Sequence, residues 1–222
     1  MRCLLFVLLL LLLPLGTPAT AQDTVDVQLW TQAVAIVGVS ENWRLHLEEQ
    51  PRWNNDISQT FQVITRTGIG RRVNDRLTLW AGHGWIAKPL PGRIAHEQRL
   101  WQQASISFPA KTWTPALRFR QEQRWQGEWG DVSHRLRVMG RVVSAPAPAR
   151  WAAVFSNEVM VNFDETPSGP VRGFDQNRLF GGGLYRMTPR HWIEFGALWV
   201  ASDTGATSRH DYVPFIGLNL TY

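Results

Sequence analysis

The chain closes on Val213-Pro214-Phe215-Ile216-Gly217-Leu218-Asn219-Leu220-Thr221-Tyr222, where large apolar side chains alternate with small or polar ones up to a final aromatic. Successive residues of a β-strand point to opposite faces. Tyr212, Ile216, Leu218, Leu220 and Tyr222 therefore share one face, and Val213, Gly217, Asn219 and Thr221 share the other. One face suits lipid and the other water, the pattern of a transmembrane β-barrel strand.

The same alternation recurs upstream. In Thr112 to Trp125 one parity carries Trp113, Pro115, Leu117, Phe119 and Trp125 with Gln121 and Gln123, and the other carries Arg118, Arg120, Glu122 and Arg124. Val132, Leu136, Val138 and Val142 oppose Arg135, Arg137 and Arg141, and Trp151, Phe155 and Val159 oppose Ser156, Glu158 and Asn162. Leu179 and Tyr185 oppose Gln176 and Arg178, and Ile193, Phe195 and Trp199 oppose Glu194. Turn-rich clusters such as Ser40-Glu41-Asn42, Asn54-Asn55-Asp56, Pro89 to Gly92 and Thr188-Pro189-Arg190 separate these segments. No apolar stripe of helical period competes with them. The expected fold is all-β, an antiparallel transmembrane β-barrel of about ten to twelve strands. Eleven alternating segments can be counted, which sits awkwardly with the even number of single-chain bacterial barrels whose termini share one side.

Alternation alone does not separate a membrane barrel from a soluble one; the other end of the chain bears on that choice. Arg2, the apolar run Leu4 to Leu13 and the small residues Ala19-Thr20-Ala21 read as a secretory signal cleaved after Ala21. The apolar run is about half of the ~20 residues that a membrane helix needs. Residues 1–21 are thus assigned to a signal peptide and 22–222 to one outer-membrane barrel domain. Cys3 is the chain's one cysteine, so the mature part has no disulfide, thiolate metal site or thiol nucleophile. Without Arg2, the 23 Lys and Arg become 22 against 18 Asp and Glu, and only Lys88 and Lys111 are lysines. Arginine pairs bidentately with carboxylates and tolerates partial burial better than lysine. Basic residues mixed with 12 tryptophans could suggest nucleic acid, but the export signal excludes that partner.

Counting back from Tyr222, every second turn is short, as periplasmic turns are. Trp43, Trp113, Trp151 and Trp192 begin the strands that leave those turns and are expected to form an aromatic girdle. Tyr222 is expected to be the assembly signal of the last strand.

These segments resemble the DUF2490 family of predicted outer-membrane β-barrels. The resemblance is carried by Asp26-Val27-Gln28-Leu29-Trp30, Trp43 to Arg52, His96-Glu97-Gln98-Arg99, Arg118-Phe119-Arg120-Gln121-Glu122, Arg135-Leu136-Arg137, Asn157-Glu158-Val159 and Asn177 to Gly183. It implies a fold and an outer-membrane location, and no catalytic residue.

Arginine facing lipid at the bilayer midplane costs roughly 2 to 4 kcal/mol in a barrel. Arg66, Arg99, Arg118, Arg120, Arg124, Arg135, Arg137, Arg141 and Arg178 are therefore expected to line the lumen, with Glu48, Glu97, Glu122, Glu158 and Glu194 on the same parity. Two readings follow. The charges pair and fill the interior of a structural or partner-binding barrel, or the cationic surplus lines a narrow porin for anions or acidic solutes. A membrane-embedded hydrolase is the third, yet no G-x-S-x-G or His-x-x-x-His spacing occurs. No catalytic, cofactor or metal site is assigned. The partners implied are outer-membrane lipid, the barrel assembly machinery and small anionic solutes, while oligomeric state leaves no mark in the sequence.

Overall fold

The computed structural model describes residues 24–222 apart from 127–130, 145–148, 167–169 and 204–207; the segment 1–21, expected to be a signal peptide, and the turns at Gly127 and Ala145 thus lie wholly or mainly outside the described residues. Twelve strands follow in order: β1 (Thr24–Val27), β2 (Leu29–Gly38), β3 (Trp43–Asn54), β4 (Gln59–Arg72), β5 (Leu77–Leu90), β6 (Arg93–Ser107), β7 (Trp113–Gln126), β8 (Asp131–Ser144), β9 (Trp151–Asn162), β10 (Gly173–Arg186), β11 (His191–Asp203) and β12 (Ser208–Thr221). From β2 to β12 each strand pairs antiparallel with the next, and β12 returns to β2 to close the ring. The short β1 lies in line with β2, and both run parallel to β12.

This resolves the awkward count. Around a ring of eleven strands, up and down cannot alternate throughout, so one neighbouring pair must be parallel. That pair is the seam, where Trp30 to Ile36 face Phe215 to Thr221. Thr24 pairs with Arg209 at the opposite rim from Tyr222, so the described chain starts and ends at different rims and the even-number rule does not bear on it. The rim that carries Tyr222 is called lower below.

The turns follow from their residues. Between β5 and β6, Pro91 presets a negative φ and Gly92 takes φ +74°, the combination of a type II turn. Between β3 and β4, Asn55, Asp56 and Ile57 all have φ between 51° and 66°, and the Asn55 and Asp56 amides donate to the Asp26 carboxylate at 3.3 and 3.2 Å. Arg209 Nη2 donates to the same carboxylate at 3.0 Å, which ties β1 to the upper rim.

The faces are reversed relative to a water-soluble protein. Leu45, Leu47, Ile69, Leu79, Leu100, Phe155, Phe195 and Ile216 are exposed on the outside, whereas Glu48, Arg52, Glu97, Arg99, Glu122 and Arg137 are buried within. Inside the β4–β6 wall, a Cβ on Gly68 would lie 2.6 Å from the Trp101 ring, and one on Gly82 closer still. Bare backbone at these two places lets Trp101 lie flat against the sheet, fully buried.

Candidate functional site: the charged lumen

The carboxylates inside the barrel are spaced along neighbouring strands so that each meets several guanidinium groups. On β6, Glu97 accepts from Arg99 Nε at 2.6 Å, Arg124 Nε at 2.8 Å and Lys88 Nζ at 2.8 Å. On β7, Glu122 accepts from Arg135 Nη2 at 2.6 Å and Nε at 3.0 Å, and from Arg137 Nη1 at 2.9 Å, while Arg99 Nη1 lies 3.7 Å away. Arg137 also grips Glu158 on β9 with two bonds of 2.9 Å, and Arg118 Nη2 reaches the same carboxylate at 2.7 Å. A chain of alternating charge thus crosses β5 to β9. Other pairs reach over the lumen: Arg141 on β8 forks onto Glu194 on β11 at 2.9 and 2.5 Å, and Arg135 meets Asp175 at 2.8 Å. On the opposite wall Glu48 accepts from Arg66, from Gln32 Nε2 at 2.8 Å, and lies 3.1 Å from His46 Nε2.

Two buried arginines stand apart. Arg52 donates to Gln50 at 2.8 Å and to Gln62 at 3.0 Å, and its guanidinium lies 3.7 Å from the centre of the Trp30 ring. Arg120 donates to Gln103 at 2.7 Å and lies 4.6 Å from the Trp101 ring centre. Among the described residues, neither has a carboxylate within 4.0 Å. Arg178 also approaches Trp30, at 4.8 Å, donates to Gln176 at 2.5 Å, and has only a distant carboxylate, Glu158 at 3.9 Å. Aromatic faces and neutral amides hold these cations without cancelling their charge.

Two cavities lie inside the barrel between the described residues. The upper one, about 280 Å³, has nine cationic side chains in its wall and two carboxylates, Asp175 and Asp211. The lower one, about 340 Å³, has seven cationic side chains and three carboxylates, Glu48, Glu158 and Glu194. Trp30, Arg52, Arg66, Arg137 and Arg178 belong to both walls, where the two cavities adjoin. At the upper rim, outside the strands, Asp164 lies 2.6 Å from His134 Nδ1, and this bond holds its carboxyl below the ordinary range.

The structure places Arg66, Glu97, Arg99, Arg118, Arg120, Glu122, Arg124, Arg135, Arg137, Arg141, Glu158, Arg178 and Glu194 on the inner face, brought together by the ion pairs or cavity walls just described. Trp43, Trp113 and Trp151 are exposed on the outside near the lower rim. Trp192 is a correction: it turns inward, lines the lower cavity and packs on buried Ala152, Val154, Phe180 and Leu184. The cause is register, because Trp192 shares the parity of inward Glu194. Tyr222 seals the seam: its amide donates to Ile36 at 2.9 Å and its carbonyl accepts from Gly38 at 3.0 Å. Sequence reasoning missed Arg52 and Trp30. Arg52 shares the parity of Glu48 and Gln50 on β3, a signal that was there to be used, whereas Trp30 gains its meaning only from neighbours on β3 and β10.

Among known proteins, the chain is 30% identical to an uncharacterized protein of Methylorubrum extorquens over 219 residues, covering 96% of this chain and 95% of that one. Its fold is similar to that of a NanC porin, with a TM-score of 0.50 at 14% identity over 80% of this chain and 87% of the other. Residues 27–211 match the family described as "Protein of unknown function (DUF2490)", and the chain belongs to that family.

Proposed function

We propose that the protein is an outer-membrane channel of the porin kind whose lumen admits small anions. The observation that carries this reading is that, while most cations of the two cavity walls are paired with carboxylates, Arg52 and Arg120 are buried there with none from the described residues within 4.0 Å. Rings of arginine favour anions, and Arg52 and Arg120 are held on the inner face by amides and aromatic rings rather than by a directly paired carboxylate.

The membrane location is supported by the inverted faces and by two outward belts of aromatics. Trp43, Trp113 and Trp151 lie near the lower rim, and Trp53, Trp85, Trp125 and Trp199 near the upper. Trp43 and Trp53 end the same strand ten residues apart. That is about 33 Å along a strand, which at a tilt of about 40° projects to about 25 Å, the height of a barrel's apolar band. The signal segment 1–21 supplies the export route in this reading.

A second reading, a filled structural or partner-binding barrel, is favoured by the chain of pairs through Glu97, Glu122 and Glu158. Planar-bilayer recording of the purified protein decides between them. The channel reading expects conductance steps and a reversal potential, in a chloride gradient, of the sign for anion flow. A bilayer that incorporates the protein yet stays silent refutes it and leaves the filled barrel.

A further inference from the structure

The lower cavity is two-sided in its chemistry. Arg120 lies on β7 and Phe215 on β12, five strands apart in a ring of eleven, and so on opposite walls. The wall of β10 to β12 presents Phe180, Trp192, Leu198 and Phe215, which pack on the buried cluster of Ala152, Val154 and Leu184. Phe180 and Phe215 meet edge to face with ring centres 5.7 Å apart. The facing wall brings Arg120, a buried cation without a carboxylate of the described residues within 4.0 Å; Arg52, the other, stands on β3, paired through Trp30 to the Phe215 side. The upper cavity lacks this division, being ringed by cations with far less apolar surface.

Resting on the anion reading, we infer that the lower cavity is a binding site for monocarboxylates that carry an aromatic or similarly compact apolar body. A carboxylate supplies the countercharge that Arg120 lacks, and a guanidinium group binds it through paired hydrogen bonds. The apolar body then covers the Phe180–Phe215 wall and removes it from water. Each half rejects a different competitor. A small hydrated anion leaves the aromatic wall wet. A neutral aromatic leaves the guanidinium group uncompensated. A dicarboxylate drives its second charge against the apolar wall or against Glu48, Glu158 and Glu194, at a desolvation cost that the first charge does not offset. At about 340 Å³ the cavity lies at the small end of ligand pockets, roughly 300 to 1,000 Å³, which suits a single ring better than an oligosaccharide.

The test is equilibrium binding to the whole detergent-solubilised barrel, followed by calorimetry and by tryptophan emission, with sodium benzoate, sodium acetate, benzyl alcohol and phthalate as probes. Benzoate is expected to bind at least tenfold more tightly than acetate and than phthalate, and benzyl alcohol not to compete. Arg120→Gln should weaken benzoate and acetate together, whereas Phe215→Ser should weaken benzoate and leave acetate unchanged. Leu198→Ser replaces Phe215→Ser if the latter loses the heat-modifiable gel mobility of the folded barrel, and the wild-type series stands without either variant. Equal affinity for benzoate and acetate, or competition by benzyl alcohol, overturns the inference. Equal affinity together with measured anion selectivity defeats this site and leaves the channel reading intact. Tight benzoate binding in a barrel that never conducts sustains the site and defeats the channel.

Discussion

Replacing Glu122 by glutamine removes one charge from the middle of the lumen and leaves its shape. The carboxylate is 1% exposed and takes three hydrogen bonds, at 2.6, 3.0 and 2.9 Å, from Arg135 and Arg137, with Arg99 at 3.7 Å. Charge-assisted bonds contribute roughly 1.5 to 3 kcal/mol each, so all three would sum to about 5 to 9. The amide keeps one oxygen as acceptor, while its NH₂ group confronts guanidinium donors. Arg135 retains Asp175, and Arg137 retains Glu158. The expected loss is therefore that of breaking one buried pair, about 3 to 5 kcal/mol. Urea unfolding in phospholipid micelles, followed by tryptophan emission, reads this directly. With a slope of roughly 2 to 3 kcal/mol/M, the midpoint falls by about 1 to 2.5 M. Glu41→Gln, in the exposed turn after β2, is the control and should stay within about 0.5 kcal/mol. A Glu122→Gln midpoint as close to wild type as the control's would refute the buried network as a source of stability.

Deleting Tyr222 removes two seam hydrogen bonds and its ring contact with His191, so the yield of folded, heat-modifiable protein should drop several-fold, while Thr166→Ala in the loop before β10 leaves it unchanged; equal yields would count against the closing role. Arg120→Glu should keep the fold and move ion selectivity toward cations, measured as the reversal potential in a salt gradient. Arg137→Glu sets a third carboxylate between Glu122 and Glu158 and should abolish folding, so a normally folded Arg137→Glu barrel would contradict the pairing scheme. The expressed protein should sediment with the outer membrane and migrate differently on unboiled and boiled gels; recovery of all of it in a soluble periplasmic extract would sink the membrane reading.

Strand positions were legible because period-two alternation and turn residues are local signals. The clusters at Ser40, Asn54, Pro89 and Thr188 all fall at or between strand ends. Arginine parity was equally legible, since Arg118, Arg120, Arg135 and Arg137 alternate with apolar residues along their own strands. What local pattern does not encode is which inner residues meet across the ring. Arg141 finds Glu194 three strands away, and Arg52 and Arg178 converge on Trp30 from different walls. Trp192 shows the same limit, because a tryptophan that begins a strand satisfies a girdle pattern on either face and only its register with Glu194 decides. The direction of the seam is also a property of the closed ring, invisible in any single segment.

The parallel seam governs how the ring is made. Apart from the short β1–β12 pairing, every other pairing joins strands adjacent in the chain, whereas Trp30 meets Phe215 across nearly the whole of it. Closing a loop of about 180 residues instead of about 4 costs about 3 kcal/mol more in chain entropy, and such non-local contacts form late. The hairpins can therefore zip up one after another into an open, curled sheet whose two free edges, β2 and β12, are the last backbone to find partners. That late species is the one exposed to pairing with other chains, so residues along the seam set the rate of closure and the yield, and residues within the hairpins set how long the finished ring endures.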